Sequence, residues 1–144
     1  EDMKTWDQID IVGTNITGHI LLKYPQLEKE IIKMSKSKNM WIRRLAMVST
    51  FPLIKKGDIK LTMELAEEDV HDKEDYIQKA TGWMLREAAK QKTEQVKKFV
   101  LKHIHMPSIC FSYATERDLK ELRKVRKLKR LDSDKRARSF LWWR

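Results

Sequence analysis

The chain has 144 residues, 41% of them hydrophobic and 36% charged, enough for one core with a charged exterior and too few for several domains. No apolar run approaches the roughly 20 residues that span a bilayer, Glu1-Asp2-Met3-Lys4 lacks the pattern of a signal peptide, and the lone Cys110 excludes an internal disulfide framework, so a soluble, intracellular chain is expected. The net charge of +10 sits mostly at one end: residues 117 to 144 hold 12 Lys and Arg against 4 Asp and Glu, whereas residues 1 to 116 hold 19 against 17.

Apolar residues recur at spacings of three and four, with no alternating run to suggest a sheet, and the chain reads as all-α. A first helix is expected from Trp6 to Leu22, with Ile9, Val12, Ile16, Ile20 and Leu21 facing inward. Gly13 and Gly18 weaken it by about 1 kcal/mol each relative to alanine. Tyr24-Pro25 ends it, and a second helix from Pro25 to Met34 buries Leu27, Ile31 and Met34. Asn39 is a candidate cap for a third helix, Met40 to Phe51, which Pro52 bends or ends. Gly57-Asp58 then closes one helix and caps another, from Ile59 to Glu68, with Leu61, Leu65 and Ala66 inward.

The acidic stretch from Glu67 to Asp75 reads as a solvated turn, since its carboxylates lack the ordered spacing of metal ligands. A fifth helix is expected from Glu74 to Lys90, a sixth from Thr93 to Ile104, and a seventh opened by Pro107 and running through Tyr113. From Arg117 onward Leu119, Leu122, Val125 and Leu128 form a narrow apolar stripe among Arg123, Lys124, Arg126, Lys127, Lys129 and Arg130, as in a terminal helix. Past Asp132 fraying is expected, leaving Phe140, Trp142 and Trp143 without a core to enter. Two readings of this basic end stand open, a salt-sensitive contribution to DNA affinity and a merely solvated helix.

Trp6, Trp41 and Trp83 lie 35 and 42 residues apart. With short joints between helices, this favours stacked antiparallel pairs in a HEAT-like α-solenoid, whose repeats run to roughly 40 to 47 residues. Residues 1–116 are read as the helical-repeat domain and 117–144 as a basic terminal helix and tail.

Three stretches carry candidate chemistry: Trp6-Asp7-Gln8-Ile9-Asp10, Trp41-Ile42-Arg43-Arg44, and Ile77-Gln78-Lys79-Ala80-Thr81-Gly82-Trp83-Met84-Leu85-Arg86-Glu87. Trp6 and Asp10 are four residues apart, so a helix stacks an indole and a carboxylate on one face. In this order and spacing the stretches resemble the DNA alkylation repair family, DNA glycosylases built of HEAT-like repeats, from about Trp6 to about Arg117.

The resemblance implies excision of positively charged alkylpurines, such as 3-methyladenine and 7-methylguanine, from duplex DNA without base flipping and without a metal or nucleotide cofactor. It assigns Trp6 and Trp83 to the lesion's backbone and sugar, Asp10 to the scissile bond and Arg44 to a phosphate. Arg43, its neighbour, and Lys79 are further DNA-binding candidates, and a monomer is expected. Members carry helices ahead of the Trp-Asp motif, so the resemblance also implies a piece of a longer protein or a shortened relative, and the segment after Arg117 departs from the family pattern.

The same residues have plainer readings. Tryptophans on helices are often core, as Trp41 is read; Asp10 can serve a helix dipole or a local ion pair; Lys79 and Arg86 can pair with Glu87 or Asp75. His103 and His105 point to different helix faces, against a zinc pair, and Cys110 reads as a buried thiol. Tyr24 and Tyr76 receive no role. For the whole chain, a non-catalytic DNA-binding module and a protein-binding scaffold remain as alternatives.

Overall fold

A computed structural model describes residues 5 to 141. Expectations for Glu1 to Lys4, for Trp142 and Trp143, and for the Phe140 side chain lie outside the described residues. Helices α1 (Trp6–Val12) and α2 (Gly18–Lys23) are joined by a π-helical stretch, Gly13–Thr17, and a 3₁₀ turn, Pro25–Leu27, leads into α3 (Glu28–Ser35). There follow α4 (Met40–Val48), α5 (Phe51–Lys55), α6 (Lys60–Asp69), α7 (Asp75–Gln91), α8 (Thr93–Lys102), α9 (Ser108–Ala114) and α10 (Leu122–Leu141). No strand occurs among the described residues, and none of the described helices is long and apolar enough to cross a membrane.

Packing divides the helices into two layers. In one, α1 rests on α4, α4 on α7 and α7 on α9; in the other, α3 rests on α6, and the layers are tied by α3 against α4 and α6 against α7. Each unit buries its apolar face only by stacking on its neighbours, the logic of a helical-repeat fold. Met47, Val48, Ile54, Ile77, Met84 and Leu85 fill the space between and are shielded from solvent.

Several local expectations are corrected. The π stretch adds a residue to its turn, so the buried positions of the first helical segment run Ile9, Gly13, Gly18 and Leu21. Ile16 and Ile20 are rotated outward and are 52% and 45% exposed. Gly13 and Gly18 are therefore points of close approach rather than weak points: a Cβ on Gly18 would lie 2.6 Å from the Ser49 carbonyl and from the Pro52 ring. Leu27, placed in the 3₁₀ turn ahead of α3, stays exposed.

The third helix ends at Val48, where the Ser49 and Thr50 hydroxyls donate to the carbonyls of Leu45 and Met47, and α5 restarts with Pro52 in its first turn. Asp69 and Asp72 are not solvated: the first is buried and the second holds Arg43. At the far end α10 continues to Leu141 instead of fraying at Asp132. Its sequence places Asp132 four residues before Arg136 and Asp134 four before Arg138, the spacing and order that support an exposed helix.

Candidate active site and nucleic-acid interface

Helix α1 carries Trp6 in its first turn, with 53% of the residue exposed, and Asp10 one turn later. Helix α4 supplies the partner. Asn39 caps it by accepting from the Trp41 N–H at 2.9 Å, which fixes where the helix starts and thus the direction of each later side chain. Arg44 points at α1, where Nε and Nη2 donate to the two carboxylate oxygens of Asp10 at 2.9 and 2.8 Å, while Nη1 donates to the Tyr76 carbonyl. This is a fork-to-fork pair with little exposure, 6% for the Arg44 side chain and 15% for that of Asp10.

Arg43, one residue earlier and about 100° round the helix, takes another direction. Its Nε donates to Asp72 at 2.8 Å and its Nη1 to the Ser37 carbonyl at 2.9 Å, tying α4 to the turn before α7. The structure places it away from the other candidates.

Helix α7 buries Ile77, Ala80, Thr81, Met84, Leu85 and Ala88, leaving Tyr76, Lys79, Trp83 and Arg86 along its opposite edge at spacings of three, four and three. Trp83 is half-buried against Phe51, with ring centroids 5.8 Å apart, and Trp41 packs against Tyr76 at 5.1 Å. Lys79 lies over the Tyr76 ring at 5.5 Å and has no carboxylate partner among the described residues. Arg86 pairs with Glu116 and Glu87.

These side chains meet at one cavity of about 480 Å³, lined by Trp6, Asp10, Arg44, Tyr76, Lys79, Trp83, Arg86 and Tyr113, so that among the described residues Asp10 is the one acid in a wall of aromatic and basic groups. The layer of α1, α4, α7 and α9 provides all of its described wall. Of the candidate residues, five are brought together and Arg43 is left outside. Tyr76 and Arg86 were legible in principle, since they lie seven residues before and three after Trp83 on one helix. Tyr113 had no such signal. It arrives because Gly82 lets α9 approach α7 so closely that a Cβ there would lie 2.5 Å from the Cys110 carbonyl.

The sequence pattern of the family described as DNA alkylation repair enzyme matches residues 1–117. The chain belongs to that family. Compared with curated proteins individually, it matches none. Membership in the DNA alkylation repair enzymes makes DNA the substrate and repair of alkylation damage the process. The match covers α1 to α9, and so every described residue that lines the cavity, and stops before α10.

Cys110 and Asp69 are buried titratable groups that lie apart from this cavity. Burial pushes the Cys110 thiol up to about 12, which leaves it protonated and unreactive. Burial and the neighbouring Asp72 carboxylate raise Asp69 to about 7, against the opposing pull of Arg43. His103 shares a hydrogen bond with Glu67 at 2.9 Å and packs near His71, while His105 is exposed.

Proposed function

We propose that this chain is the catalytic part of a glycosylase that removes positively charged alkylpurines from duplex DNA. The observation that carries the reading is the convergence of Trp6, Asp10 and Trp83, from helices separated by more than half the chain, on one cavity. A purine alkylated at N3 or N7 carries a positive charge and leaves readily. Heterolysis of its bond to C1′ returns the electron pair to the base, which departs neutral, and leaves the cation on the sugar. Water adds to C1′, and its proton passes to the carboxylate.

Magnitudes decide the roles. An indole against the sugar contributes about 0.5 to 2 kcal/mol. A carboxylate about 4 Å from the cation contributes about 4 kcal/mol at an effective dielectric near 20. Arg44 offsets part of that, leaving about 2 to 3 kcal/mol, and in exchange fixes both oxygens of Asp10. Each oxygen keeps a second lone pair for the cavity side. Asp10 is thus the larger contributor and Arg44 its positioning residue. With Arg44 turned inward, Lys79 is the cation on this wall that remains for a DNA phosphate.

The Asp10–Arg44 pair also favours a second reading, in which Asp10 only clamps α1 to α4 and the cavity serves binding alone. The two readings part on Asp10→Asn. With the full-length protein and duplex carrying 7-methylguanine, the substitution is expected to lower base release about 30- to 160-fold, from the 2 to 3 kcal/mol above, with duplex affinity within about twofold. Unchanged release by a folded variant, or no release by the wild type, would sink the catalytic assignment.

A further inference from the structure

The cavity at Asp10 does not end at α9. Arg86 and Tyr113 line both it and a second cavity of about 470 Å³, and Ser112 and Arg123 line both that second cavity and a third of about 350 Å³ between α9 and α10. Shared walls set the three side by side, a row of adjoining cavities that forms a trough from Trp6 on α1 to Arg130 on α10. Beyond Glu116, which Arg86 holds, the described lining of its far half carries Arg123, Arg126, Lys127 and Arg130 and no acid.

Helix α10 is fastened in place. Leu119 and Leu122, leading into and opening it, are buried, and Arg126 lies over the Phe111 ring at 4.3 Å while Nη2 donates to the Met106 carbonyl at 2.7 Å. Arg123 donates to the Thr115 hydroxyl at 3.2 Å and the Ser112 carbonyl at 3.3 Å, and Arg130 to the Ser108 hydroxyl at 3.4 Å. With Arg126 used as the anchor, Arg123, Lys127 and Arg130 remain on one helix face, at intervals of four and three, without an ion pair among the described residues. They span about 10 Å of helix, a length over which duplex DNA presents on the order of six phosphate charges.

We propose that α10 is a second DNA-backbone contact, in which Arg123, Lys127 and Arg130 bind phosphates of the same duplex whose damaged nucleotide lies at Asp10. This rests on the reading of the Asp10 cavity as the lesion site and extends it past the matched residues. The occupant is DNA because the trough adjoins that cavity and the cations of its far half have no ion pair with an acid among the described residues.

The test uses undamaged duplex, so that it does not depend on base release. Affinity is measured by fluorescence anisotropy at several salt concentrations for the full-length wild type, for Arg123→Gln/Lys127→Gln/Arg130→Gln, and for Lys124→Gln/Lys129→Gln/Lys135→Gln. The last removes the same charge from residues outside the trough. Circular dichroism checks that all three remain helical.

The trough triple is expected to flatten the slope of log affinity against log salt by about 2.7, which is 0.9 for each phosphate no longer neutralised, and the control triple by less than about 1. Should Arg123→Gln loosen α10, the double variant Lys127→Gln/Arg130→Gln keeps the anchor and is expected to flatten it by about 1.8. Equal flattening by both triples would reduce the effect to bulk charge and overturn the proposal. So would a trough triple with the wild-type slope, the outcome for a surface that serves an acidic protein. Loss of base release in Asp10→Asn with the slope unchanged separates the catalytic reading from this one.

Discussion

Asp10 and Arg44 show how much of the site depends on two side chains. Both are nearly shut off from solvent, so each ion needs the other: removing one partner of such a pair costs about 3 to 5 kcal/mol, because the remaining charge stays buried and unmatched. Arg44→Lys is the informative substitution, since it retains the charge and loses the planar fork that touches both carboxylate oxygens and the Tyr76 carbonyl. It is expected to lower stability by about 1 to 2 kcal/mol in urea unfolding. Base release should also fall by about tenfold as Asp10 loses its fixed aim. A variant as active as the wild type would show that the aim of the carboxylate is unimportant.

Helices α7 and α9 set the width of the cavity through Gly82. A methyl group there meets the Cys110 carbonyl at 2.5 Å and the Tyr113 Cβ at 2.6 Å, neither of which can swing away as a side-chain tip would. Gly82→Ala is expected to push α9 off α7 and cost about 1 to 3 kcal/mol, read as a lower urea midpoint at unchanged slope. Gly57 provides the contrast: its φ of 83° favours glycine, yet a Cβ there meets nothing within 4 Å. Gly57→Ala is therefore expected to lose only the backbone term, about 1 to 2 kcal/mol, and to leave duplex affinity alone, whereas Gly82→Ala moves Tyr113 and changes both.

On the scale of the whole molecule, stability depends on pH through a buried group at odds with neutral pH, Asp69. Asp69 closes α6, is 3% exposed, and has a carboxylate oxygen without a hydrogen-bond partner among the described residues. Its folded value of about 7 lies above that of an unfolded aspartate, so the native state holds a proton that the unfolded chain has released. Stability from this group is complete below about pH 4, falls as the pH rises toward 7, and is then flat. Asp69→Asn is expected to remove that slope and raise stability above pH 7, by at most roughly 4 kcal/mol at 1.36 per pH unit. Urea unfolding from pH 4 to 8 checks it. Parallel curves for variant and wild type would rule out a buried, protonated Asp69.

Periodicity is a local property, and what depends on it could be read along the chain: the all-α class, the Asn39 cap, the inward Leu61, Leu65 and Ala66, and the sharing of one helix face by Trp6 with Asp10 and by Lys79 with Trp83. Tertiary packing decided the rest. One extra residue in the π stretch turned Ile16 and Ile20 to solvent, and two glycines became the points at which helices touch. Arg43 and Arg44 look alike in sequence, and only the positions of Asp72 and Asp10 in space separate them. Tyr113 and the basic face of α10 join the trough because α9 and α10 pack where they do, a consequence of side-chain volumes meeting across the chain that no spacing along it records.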